Sequence, residues 1–106
     1  MPTSLWLVVT TFPDRAIATS TAHELVKAKL AACIQVLPAM TSIYTWQEQV
    51  CTESEVLMLL KTPSDRYCDL ETRLRQLHPY DQPEIMALEA AAVSEGYLAW
   101  AIATTR

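Results

Sequence analysis

Glycine is almost absent: Gly96 is the only one in 106 residues. A G-x-G-x-x-G turn, a Walker loop and a G-x-S-x-G nucleophile elbow each need at least two, so all three are excluded. Nucleotide binding through glycine-rich loops and the α/β-hydrolase mechanism go with them. Positive charge is also sparse. Lys and Arg number 8 against 12 Asp and Glu, a formal net charge of −4. No basic cluster gives phosphates a footprint, which argues against nucleic acid and against an anionic membrane surface. Apolar runs stop far short of the roughly 20 residues that cross a bilayer. Met1-Pro2-Thr3-Ser4 carries no basic stretch and the apolar run behind it is short, so no signal peptide is expected. Cys33, Cys51 and Cys68 form no C-x-x-C pair and no even framework. An odd count without a secretion signal predicts free thiols in a reducing cytoplasm.

What the chain does have is apolar mass. Hydrophobic residues make up 51% and charged residues 19%. Residues 1–106 form one domain by length, and a domain this small should need more charge to cover its surface. The surplus predicts a lasting interface with further subunits.

The stretch from Ala32 to Thr62 organises the rest. It predicts two long strands joined by a polar turn, the first rich in Val, Ile, Tyr, Thr and Trp. The second carries Val56-Leu57-Met58-Leu59-Leu60, a run without alternation that must be covered on both faces. Pro38 bends the first arm or sets it at a sheet margin. Between Gln47 and Glu53 there is no Gly or Asn, so a tight two-residue turn is not expected.

Leu5 to Phe12 reads as a central strand stopped by Pro13. Asp14 caps a helix over 14–30, with Ala18, Ala22, Leu25, Val26 and Leu30 on its buried stripe. His23 falls off the stripe and is expected in solvent. Ser64 is the expected cap of a second helix, whose Tyr67, Leu70, Leu74 and Leu77 form another stripe. Asp69–Arg73 and Glu71–Arg75 are its i,i+4 pairs. Pro79 ends that helix at His78. A strand over 84–89 follows, and Ser94 opens a last helix with Tyr97, Leu98, Ala101 and Ile102 inward. The order β-α-β-β-α-β plus a helix predicts an α+β, ferredoxin-like sandwich. Its second sheet face is too apolar for water, which points to burial by partner subunits.

The pieces Leu30-Ala31-Ala32-Cys33-Ile34, Ser42-Ile43-Tyr44-Thr45-Trp46, Glu55-Val56, Lys61-Thr62, His78-Pro79-Tyr80, Pro83-Glu84-Ile85 and Tyr97-Leu98-Ala99-Trp100 resemble the CutA family, the divalent-ion tolerance proteins. The resemblance runs in register from the first strand to the last helix. It implies a ferredoxin-like subunit in a tight homotrimer, with the long hairpin reaching across a neighbour. It also implies kinship of shape with the PII signalling trimers and a link to copper and other divalent metals. The family's W-x-G-K is broken here by Glu48 and Gln49, which predicts a longer or reshaped turn.

Three site readings follow. Cys33, His78 and Glu84 are candidate ligands for Cu2+ or another divalent ion. Without local ligand spacing they would have to meet in three dimensions or between subunits. The alternative is that Cys33 packs as a small hydrophobe and His78 fixes its loop. The second reading is a small-ligand cleft at a subunit boundary, formed by Tyr44, Trp46, Lys61, His78, Tyr80 and Glu84. Against it, Tyr44 and Trp46 serve as interface anchors. The third, acid–base catalysis by Lys61, Glu84 and His78, finds no nucleophile–base pair, so a non-enzyme is expected. No cofactor is required. Few glycines, a large interface and helix pairs predict melting above the roughly 45–65 °C of ordinary mesophile domains.

Overall fold

The computed structural model describes residues 3–106. Met1 and Pro2, on which part of the signal-peptide reading falls, lie outside the described residues. The elements are β1 (Leu5–Phe12), α1 (Arg15–Lys27), β2 (Cys33–Val36), β3 (Met40–Trp46), β4 (Gln49–Pro63), α2 (Tyr67–Leu77), β5 (Met86–Glu89) and α3 (Glu95–Thr104). A 3-10 turn at Ser64–Arg66 leads into α2.

The sheet runs β2-β4-β1-β5, the strand order of a ferredoxin-like sandwich, with β3 on the outer half of β4. All pairings are antiparallel. The 15-residue β4 is the axis. Its inner half pairs with β1 and β2, and its outer half with β3. Pro38 breaks the first hairpin arm between β2 and β3, as its missing N–H requires.

One sheet face packs on α1 and α2. Val8, Phe12, Val56, Met58 and Leu60 meet Ala18, Leu25, Leu70 and Leu74 there, and all nine are buried. The opposite face holds the other alternate residues. Val9 stands between Leu59 and Met86, and Leu7 between Lys61 and Leu88. Helix α3 covers one end of this face, packing around Leu5, Ala32 and Ala101. The remainder is open, with Met86 51% and Leu88 50% exposed.

Several local expectations are corrected. The hairpin closes in two residues, Gln47 and Glu48, because Trp46 pairs directly with Gln49. Both turn residues are left-handed, at φ 50° and 66°. Strand twist demands that geometry whatever the sequence, so the departure from W-x-G-K changes the strain and not the loop length. Glu48→Gly should therefore raise stability by about 0.5–1 kcal/mol. Urea midpoints at fixed protein concentration would show it, and an unchanged midpoint would mean that Glu48 contacts offset the strain.

Ser64 does not cap α2; its Oγ accepts the Ser4 N–H at 3.1 Å. Helix α1 is shorter than expected and ends in a left-handed Lys29 at φ 63°. Leu30 N–H then reaches back to the Leu25 carbonyl, a Schellman closure. Val26 lies on the solvent side at 41% exposure. Asp14 does cap α1, accepting from Ile17 N–H at 2.9 Å. Glu71–Arg75 forms at 3.1 Å, whereas Asp69 pairs with Arg66 and Arg73 reaches Glu24 on α1. The last strand is shorter than 84–89, because Glu84 and Ile85 still belong to the loop.

Candidate functional site

A cavity of about 640 Å3 lies where the outer hairpin, the end of β1 and the loop after α2 converge. The hairpin contributes Ser42, Ile43, Tyr44, Trp46 and Glu55. Strand β1 contributes Thr11, and the loop contributes Pro79, Tyr80, Asp81, Gln82 and Glu84.

The loop is held from beneath by His78. Pro79 forces His78 out of the helix, to φ −75° and ψ 135°. Its ring then stacks on Phe12 with centroids 4.3 Å apart. Nε2 lies 2.8 Å from the Thr11 carbonyl oxygen, so that nitrogen carries the proton and donates. Nδ1 is left to accept the Tyr80 N–H at 3.2 Å. Burial, the largest cause, depresses the His78 pKa below its ordinary 6.5, against the opposing Thr11 hydrogen bond and the Glu55 charge. The fold thus prefers the neutral ring. Stability should be whole above pH about 6.5, erode as pH falls, and level off once the folded ring also protonates. His78→Gln should lose stability at every pH yet flatten that slope, read as urea midpoints between about pH 5 and about pH 8.

Tyr80 is fixed next. Its ring sits 5.0 Å from the His78 ring, and its hydroxyl donates to Glu55 Oε2 at 2.7 Å. Burial and then this bond push the phenol well above its ordinary value, so it stays protonated as the donor. Glu55 is only 9% exposed. The Tyr44 phenol is also pushed up, by desolvation and then by the charges of Glu53, Cys51 and Glu55. Among the described residues no Lys or Arg lines the cavity.

Of the six expected cleft residues, Tyr44, Trp46, Tyr80 and Glu84 come together here. His78 stands behind the wall as a support. Lys61 lies elsewhere, in a smaller cavity of about 190 Å3 near α3, and its Nζ donates to Gln35 Oε1 at 2.8 Å. The candidate metal set Cys33, His78 and Glu84 is not assembled within the chain. Cys33 pairs in register with Lys61 and lies beside the Tyr97 phenol. His78 has both ring nitrogens engaged, and Glu84 is on the exposed loop. Among the described residues no group of three or more His, Cys, Asp or Glu is placed to hold a metal ion. Sequence reading missed Glu55, Asp81 and Gln82 as site residues. The signal for Glu55 was a carboxylate directly before a fully apolar strand run, a costly place for a charge without a purpose.

Fold and site together define a ferredoxin-like chain with an open apolar sheet face and an acidic, aromatic-walled cleft. Residues 6–104 match the model of the CutA1 divalent ion tolerance protein family. The divalent-cation tolerance protein CutA of Thermus thermophilus is 42% identical over 94 residues, covering 89% of this chain and 91% of the relative. That of Pectobacterium atrosepticum is 38% identical over 100 residues, covering 94% and 91%. Among solved structures, CutA1 from Ehrlichia chaffeensis superposes with a TM-score of 0.94 at 25% identity, covering 100% of this chain and 99% of that one. CutA1 from Shewanella sp. SIB1, described as a stable protein, gives 0.93 at 36%, covering 98% and 97%. The chain belongs to the CutA1 divalent ion tolerance family. No helix among the described residues is long and apolar enough to cross a membrane.

Proposed function

We propose that this protein serves divalent-cation tolerance as a homotrimeric, non-catalytic binding protein of the cytoplasm, with the acidic cleft as its working site. The observation that carries the reading is the cleft's charge: Glu55, Asp81 and Glu84 line it, with no basic side chain beside them among the described residues. Carboxylates on low-dielectric walls raise the local concentration of cations. Trimerisation is supported by the open face around Met86 and Leu88 and by the family resemblance. Copper(II) or a similar ion is the expected ligand, with ligands completed across subunits. Against catalysis, the buried imidazole spends both nitrogens on backbone groups.

Calorimetric titration of the metal-free protein with Cu2+ tests this. Saturable binding that weakens in Glu55→Gln and Glu84→Gln is the expected result. Loss in Cys33→Ala, with the carboxylate variants unaffected, would move the metal away from the cleft. Absence of saturable binding would remove copper from the reading.

A second reading, a PII-like sensor that binds a small molecule in the same cleft, is favoured by size and walls. A volume near 640 Å3 exceeds the need of a bare ion and falls in the range of small-molecule sites. Thermal-shift screening of small metabolites should give a hit that Lys61→Ala leaves intact, since Lys61 is outside the cavity.

A further inference from the structure

Resting on the sensor reading, we propose that the cleft takes an organic ammonium ion: a protonated or quaternary nitrogen carried on a small apolar body. Three observations converge. Glu55 is nine-tenths buried, yet only Oε2 is held, by the Tyr80 hydroxyl. No described donor is bonded to Oε1, and that oxygen is not fully enclosed, so it stays open to a guest in the cavity. A buried charge left in this state is stabilised by an opposite charge more than by any neutral partner. The walls are aromatic: Tyr44, Trp46 and Tyr80 line the cavity, and the negative quadrupole of an aromatic ring face attracts a cation. Aromatic faces also accept the apolar body of an amine, which a metal ion lacks.

The alternatives fit less well. An anionic metabolite would meet Glu55, Asp81 and Glu84 with no Lys or Arg to receive it. A bare divalent ion needs several ligands converging on one point, and no trio of His, Cys, Asp or Glu among the described residues does so. Carboxylates spread around a cavity of about 640 Å3 suit a cation whose charge sits on a larger skeleton.

The full-length protein would be titrated calorimetrically with choline, spermidine and phenethylammonium, and in parallel with ATP and citrate. The expected result is saturable binding of at least one ammonium probe. Glu55→Gln should weaken it about tenfold or more, as for a lost charge-assisted contact. Trp46→Leu, at an exposed hairpin position, should weaken it about three- to fivefold. If Glu55→Gln does not fold, Trp46→Leu and the exposed Glu84→Gln carry the test. Binding of ATP or citrate without binding of any ammonium probe would overturn the ammonium assignment and leave the sensor reading standing. Silence from both sets would overturn both. Ammonium binding unchanged in Trp46→Leu and Glu84→Gln would place the site elsewhere and overturn the assignment.

Discussion

Phe12→Ala should lower stability by about 3–5 kcal/mol, the usual cost of emptying a well-packed aromatic site. Phe12 is fully buried, ends β1 opposite Val56 and touches both helices' core. It has a second duty that an ordinary core residue lacks. The His78 ring rests on it at 4.3 Å, and His78 holds the loop that carries Tyr80. The truncation should therefore loosen the cleft as well as the core. Urea unfolding at fixed protein concentration would measure the first effect, and ligand titration under native conditions the second. A loss under about 1 kcal/mol would mean that the site collapses to fill the void and that His78 is held by its hydrogen bonds alone.

Leu59→Glu should dissolve the proposed trimer while sparing the fold of the chain. Leu59 is half-buried on the sheet face away from α1 and α2, beside Val9. In a lone chain a glutamate there could turn to water. Against a neighbour it would be an unpaired charge within an apolar contact, at a cost of several kcal/mol. The proposed interface, at several hundred Å2 per subunit and roughly 25 cal/mol per Å2, gains about 10 kcal/mol before entropic costs. Light scattering should fall from about three times the 11.9 kDa chain mass to a single chain, with circular dichroism preserved. A variant that keeps the larger mass would show that this face is not the contact.

The fold was legible because its signals are periodic and mutually consistent. Leu70 and Leu74 recur at helical spacing, and Val56 to Leu60 reads as a strand covered on both sides. Pro38 and Pro79 mark breaks that any fold must respect. The turn departs from its composition for a physical reason. Composition reports which residues prefer positive φ, but the twist of two long strands can impose it on Gln47 and Glu48. Of the cleft, the aromatic residues Tyr44, Trp46 and Tyr80 are legible in the sequence. Residue type alone points to Lys61, and only the pairing of β2 with β4 sets it opposite Cys33 with its Nζ on Gln35, away from the cleft. Glu55 does not stand out in the sequence because its partner, Tyr80, is 25 residues away. Helix caps fared unevenly for a similar reason: Asp14 serves its own helix, whereas Ser64 is recruited by a distant chain end at Ser4.

Strand alternation puts Glu55, Leu57 and Leu59 in one row, on one side of one strand. The carboxylate that faces the cleft is thus continuous with the oily patch proposed to meet neighbouring copies. A guest that favours the associated form tenfold must strengthen association by an equal factor, by reciprocity. Diluting the protein would then drive the guest off, and saturating it would hold the copies together.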